Sequence, residues 1–270
     1  MEITPGTGSA DTARLVGAGK APLGLADAAT MAAAVVQGVP VIMVAVFYQQ
    51  SPQTIFSLAD RKITRPKDLE GKSLGLSSVT AEAKIFPALA KKNGLDTSKV
   101  KIVDLSIPTR IPALLAGKVD ALGGFITIQS DIASKANIGV NVMKFADYGI
   151  DMYGSGIIVN IDFANRNPQV VERFVQATLR GLKFALDSPD AALDSMHKAL
   201  PDRDRESLKE AWRLSAPLMH NEATRRNGLG WMEAATWKST QDIMVEYGGQ
   251  PKAVALSSLY TNRFLKPRGK

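Results

Sequence analysis

Most residues able to make specific polar contacts stand at the ends of short apolar stretches. Thr7, Gly8, Ser9 and Ala10 open a helix, and Asp27, Ala28, Ala29 and Thr30 open the next. Tyr48, Gln49, Gln50 and Ser51 close the apolar run 41–47. Unpaired N–H groups and the positive end of a helix dipole attract an anionic or carbonyl oxygen, which suits the 7–10 turn to binding. Ser9 is equally suited to capping its own helix, and so is Asp27, which otherwise accepts from an exocyclic amine. Gln amides carry donor and acceptor together and suit either a neutral heterocycle or an exposed polar loop. Further on, Ser77, Ser78 and Thr80 open a helix, and Gly123 and Gly124 admit close backbone approach after a strand. Tyr148 and Tyr153 offer rings for stacking on a planar ligand or for packing at a junction.

Groups for covalent chemistry are missing from these turns. The chain has no cysteine, which removes thiolate metal sites, disulfides and Cys nucleophiles. Its two histidines, His197 and His220, fall in a helical C-terminal stretch. No Ser-His-Asp set, His-Glu-x-x-His motif or phosphate-binding lysine loop is present, and Gly6-Thr7-Gly8 is too short for a dinucleotide fingerprint. The residues call for no catalytic group, no metal and no cofactor, and point to holding a small molecule rather than transforming it.

The 270 residues are 45% hydrophobic, enough for a substantial core. Lys and Arg number 33 against 26 Asp and Glu, a net charge of +7. These charges are scattered and accompany no nucleic-acid motif, so no nucleic acid or DNA partner is expected and an anionic solute is compatible. The longest apolar run, 39–47, contains Pro40 and is strand-like. The chain opens on Met1-Glu2-Ile3-Thr4 without a leader pattern, so an exported protein would be present here in mature or shortened form.

Spacing predicts strands at 1–4, 21–26, 41–47 and 54–58, with helices at 9–18 and 28–37. The charged segment 59–71 reads as a crossover, near 57–61, into a second series. That series has strands at 73–76, 100–105, 121–125 and 142–145 and helices at 80–93, 108–116 and 128–136. A turn-rich stretch at 148–154 marks a return crossover near 150–156, followed by a strand at 156–160. Helices at 168–186, 189–199, 203–214 and 231–247 then wrap the first lobe. Repeated β-α-β implies an α/β protein with two lobes, each a mainly parallel sheet flanked by helices. Lobe I is 1–58 plus 155–270, lobe II is 59–154, and the cleft between them is the expected ligand site.

Three motifs carry a family resemblance: Gly6-Thr7-Gly8-Ser9-Ala10-Asp11, the stretch from Leu15 through Leu23-Gly24-Leu25-Ala26-Asp27 to Thr30, and Val36-Gln37-Gly38-Val39-Pro40-Val41. In this order they resemble the substrate-binding proteins of ABC importers, in the group similar to nitrate-, sulfonate- and thiamine-pyrimidine-precursor-binding proteins. Leu69-Glu70-Gly71-Lys72-Ser73-Leu74-Gly75 resembles that family's entry into the second lobe. Leu114-Leu115-Ala116-Gly117-Lys118-Val119-Asp120-Ala121 resembles its recurrent leucine–small–Gly–x–x–Asp–Ala segment. Tyr148-Gly149-Ile150-Asp151-Met152-Tyr153-Gly154 resembles the aromatic turn of the pyrimidine-precursor branch.

The resemblance spans residues 6–200 and implies a periplasmic-binding-protein type II fold that closes by a hinge around its solute. It implies a periplasmic or other extracytoplasmic location and a cognate permease as partner. A thiamine pyrimidine precursor is the first ligand expected; a sulfonate, aromatic carboxylate or riboflavin-like molecule is the alternative. An enzyme of the same fold, in pyrimidine or menaquinone-precursor synthesis, is the other class of function. Family members carry a further strand and helix ahead of the equivalent of Met1–Thr4, which implies lower stability here, or a gap filled by strand exchange or a dimer.

Overall fold

Short apolar runs closed by glycine and proline turns become alternating strands and helices. The computed structural model describes residues 2–133, 135–136 and 138–266. Its elements begin α1 (Ser9–Gly17), β1 (Leu23–Asp27), α2 (Ala28–Val36), β2 (Val41–Val46), β3 (Gln53–Leu58) and β4 (Ser73–Leu76). They continue α3 (Ala81–Lys92), β5 (Lys101–Asp104), α4 (Ile107–Leu115), β6 (Ala121–Phe125), α5 (Gln129–Ala133), β7 (Val140–Lys144) and β8 (Ser155–Asn160). The remainder is helical: α6 (Ile161–Arg166), α7 (Pro168–Asp187), α8 (Pro189–Ala199), α9 (Arg205–Ser215), α10 (Glu222–Asn227) and α11 (Ala234–Glu246). Proline opens α7 and α8, where its missing N–H has no intrahelical acceptor to lose. Gly94 and Gly117, at φ 63° and 67°, take the left-handed turn that ends α3 and α4.

Two sheets form. Lobe I has the order β1-β8-β2, and lobe II has β5-β4-β6-β3-β7. The expectation of mainly parallel sheets is corrected in detail. In lobe I, β8 re-enters from lobe II and runs antiparallel to both neighbours. In lobe II, β4 is parallel to β5 and β6, while β3 is antiparallel to β6 and β7. Strand β3 is therefore the second correction. It was expected in lobe I and forms an interior strand of the lobe II sheet, so the first crossover is 47–52, not 57–61. Segment 59–71, charged as it is, is only the connection from β3 to β4, carrying two short 3-10 turns. The strand expected at 1–4 is a third correction: residues 2–4 lie in no strand, and Met1 is outside the described residues.

The C-terminal helices bridge the lobes rather than wrapping the first alone. Val171 and Val175 of α7 pack with Val44, Ile157 and Val159 of the lobe I sheet. Leu214 of α9 and Leu218 beyond it pack instead on Phe56, Leu122 and Ile132 in lobe II. Helix α11 serves both: Trp237 sits in a core with Met31 and Met43, while Ile243 and Met244 join Ile85 and Leu89 of α3. Among the described residues, no helix is long and apolar enough to cross a membrane.

Candidate functional site

Two helix N-termini from opposite lobes meet across the cleft. α1 starts at Gly8, at φ 144°, with no side-chain cap. The Ser9 hydroxyl accepts from the Asp27 N–H at 3.1 Å, tying two lobe I turns together, and Thr7 donates to Asp11 at 2.7 Å. α3 starts at Thr80, again with no side-chain cap, because its hydroxyl donates to the Ser77 carbonyl at 2.7 Å. Ser78 is held outward by its N–H and hydroxyl on Asp104, at 3.1 and 3.3 Å. A Cβ added at Gly8 would lie 2.5 Å from the Val79 carbonyl oxygen, so the two turns touch through backbone. Two helix starts without a side-chain cap are thus brought together where the lobes touch.

A buried polar chain also joins the lobes. Asp27, fully buried, caps α2 through the Thr30 N–H at 3.1 Å and accepts from Gln53 Nε2 of β3 at 2.9 Å. The Ser51 hydroxyl donates to Gln53 Oε1. Burial pushes the Asp27 carboxyl up to about 6, against the opposing pull of donors from Thr30, Gln53 and Ala29. The Ala28 N–H donates to the Gly154 carbonyl at 3.1 Å. Of the two roles open to Asp27, the structure shows the cap.

The other candidates make contacts within the protein. Tyr48 meets Phe125 edge-on, ring centroids 6.5 Å apart, and bonds Ser215 through its hydroxyl; burial raises its pKa. The Gln49 amide spans the Trp231 carbonyl (3.1 Å) and Asn221 (2.9 Å), and Gln50 donates to Asp151 at 3.2 Å. Gln49 and Gln50 line a surface pocket of about 240 Å³ with His220. Tyr148 donates to the Thr64 carbonyl at 2.8 Å. Tyr153, fully buried, accepts from the Glu233 N–H at 2.8 Å and packs edge-on to Trp237. Gly124 leaves room for the Ile128 side chain, which a Cβ would strike.

Sequence reading missed Arg110, Glu82 and Gln53. Arg110 and Glu82 form an ion pair at 2.8 Å, with side chains 10% and 2% exposed. The available signal was that Arg110 is the sole charge in the apolar helix Ile107–Leu115. Among the described residues, no group of three or more His, Cys, Asp or Glu is placed to hold a metal.

Two α/β lobes joined by two crossovers, with helix starts meeting between them, define a periplasmic-binding-protein type fold. An aliphatic sulphonate-binding protein SsuA from Escherichia coli matches it with a TM-score of 0.74 at 15% identity, covering 96% of this chain and 87% of that one. The chain belongs to the NMT1/THI5-like family, whose model matches residues 1–192. It is 28% identical over 234 residues to the riboflavin-binding protein RibY of Chloroflexus aurantiacus, covering 85% of this chain and 66% of that protein. It is 21% identical to a formylaminopyrimidine-binding protein of Halalkalibacterium halodurans, covering 88% and 73%. It is 22% identical to a 4-amino-5-hydroxymethyl-2-methylpyrimidine phosphate synthase of Legionella pneumophila, covering 94% and 79%.

Proposed function

We propose that this chain is the solute-binding component of an ABC importer, acting outside the cytoplasm and delivering a small planar or anionic organic molecule to a permease. The observation that carries the reading is the meeting of two uncapped helix N-termini from opposite lobes, Gly8 against Val79. A solute oxygen placed there accepts from both lobes at once, so binding and closure are one event. Within that class a planar heterocycle, pyrimidine or flavin, comes first. Two relatives are named for binding such rings, and Tyr48 and Phe125 supply aromatic surface where lobe I passes into lobe II. Sulfonates and aromatic carboxylates come second. The side of β1 left unpaired among the described residues, with Leu25 58% exposed, is where an added strand or a second copy would pair.

The enzyme reading has the synthase relative behind it. Against it, His197 lies at the end of α8 with Nδ1 3.1 Å from the Arg203 carbonyl oxygen, and His220 lines the outer pocket beside Pro217 and Leu218. The test is a thermal-shift screen with riboflavin, formylaminopyrimidine, thiamine pyrimidines, aromatic carboxylates, taurine, alkanesulfonates and nitrate. A cognate solute at ~100 times its Kd adds roughly 2.7 kcal/mol of stability. A flat response to all of them counts against the proposal.

A further inference from the structure

Arg110 is 8% exposed, yet its guanidinium is only half used. Nη1 donates to Glu82 Oε1 at 2.8 Å and to the Gly123 carbonyl at 3.2 Å. Nε and Nη2 have no partner among the described residues. A purely structural Arg–carboxylate pair gains most by engaging both nitrogens of the fork, and this one does not. The fully buried side-chain polar atoms left without partners are Trp237 Nε1 and Gln250 Oε1, among the described residues. The free edge of Arg110 is not one of them, and the side chain keeps 10% of its surface exposed.

That edge is at the carboxyl end of the parallel strands β4 and β6 of the lobe II sheet. Glu82 sits in the first turn of α3, directly after β4, and Gly123 lies near the end of β6, which runs parallel to β4. The carboxyl ends of parallel strands are where open α/β sheets hold their ligands. A Cβ at Gly124 would lie 3.5 Å from Arg110 Cζ, and the next residue, Phe125, meets Tyr48. Arg110 thus stands beside the uncapped start of α3.

We propose that Arg110 is a specificity residue of the cleft. Its Nε–Nη2 edge donates two hydrogen bonds to paired oxygen acceptors on an oxyanionic solute, and Glu82 holds the guanidinium in place. This rests on the solute-binding reading above and, within it, selects the anionic solutes over the neutral rings. The probe is methanesulfonate, titrated by calorimetry into the wild-type chain, Arg110→Lys and Glu82→Gln, with riboflavin and formylaminopyrimidine titrated alongside. Arg110→Lys keeps the charge beside Glu82 but loses the fork, and is expected to bind methanesulfonate roughly tenfold more weakly. Glu82→Gln removes a competing negative charge and is expected to bind it about threefold or more tightly, even as its melting temperature falls. A structural ion pair alone predicts no such opposite shifts. Should Arg110→Lys fail to fold, the neutral pair Arg110→Gln with Glu82→Gln replaces it, with loss of methanesulfonate binding expected. Equal affinity in wild type and the Arg110 variant overturns the proposal, as does a wild type that ignores methanesulfonate but binds one of the rings. A wild type that binds none of the three overturns the proposal, and the reading beneath it falls only with a flat response to the whole panel above.

Discussion

Asp27 is a carboxylate out of contact with water, held by donors from Thr30, Ala29 and Gln53. Its carboxyl is raised from 3.8 to about 6 by burial, so the folded chain holds that proton more tightly than the unfolded chain. The associated stability is complete below about pH 3.8 and is lost as pH rises through about 6. Asp27→Asn does not titrate. The stability of wild type relative to the variant should therefore fall by up to about 3 kcal/mol between pH 4 and 6.5, then level off. Chemical denaturation across that range checks it, and a pH-independent difference would contradict it. Glu82→Ala leaves Arg110 buried without its carboxylate and should cost about 3–5 kcal/mol in the same measurement. Residue roles were only half legible in the sequence, for a physical reason. A helix-start Ser or Asp presents the same atoms to a backbone N–H as to a ligand, and only the fold shows that Ser9 and Asp27 are already engaged. Arg110 was passed over because a single charge in an apolar helix gives no hint of its distant partner.

Element types were far more legible than sheet membership. The apolar periodicity located every strand from β1 to β8 and the long helices, since alternation and glycine stops are local properties. Which sheet a strand joins is not local. Strand β3 follows β2 after only a six-residue turn, 47–52, yet leaves for the other lobe, and the charge change after residue 58 drew the boundary too late. Strand β8 shows how tightly the return is made. Gly156 passes so close to Ala45 that a Cβ would strike its carbonyl, beside the bulge between Met43 and Ala45. Gly156→Ala should destabilise the chain by about 3 kcal/mol, the upper end of overpacking, read as a lowered denaturant midpoint. An unchanged midpoint would mean that β1, β8 and β2 are not packed in this register.

At the scale of the molecule, the proposed capture of solute between the lobes places its weight on the backbone contact of Gly8 with Val79. A valine at Gly8 meets the Val79 carbonyl and strains a backbone at φ 144°. Gly8→Val should weaken solute affinity roughly tenfold or more while costing only about 1–3 kcal/mol of stability, because an open form relieves the clash. Equal affinity in variant and wild type would show that the lobes need not close on this contact.

The most direct measurement of the central claim is to incubate the protein with the solute panel, remove unbound material, denature it and identify what is released by mass spectrometry. The account predicts one panel compound, chemically unchanged, at about one molecule per chain and much reduced from Gly8→Val. Release of nothing, or of a compound altered from the one supplied, would contradict it.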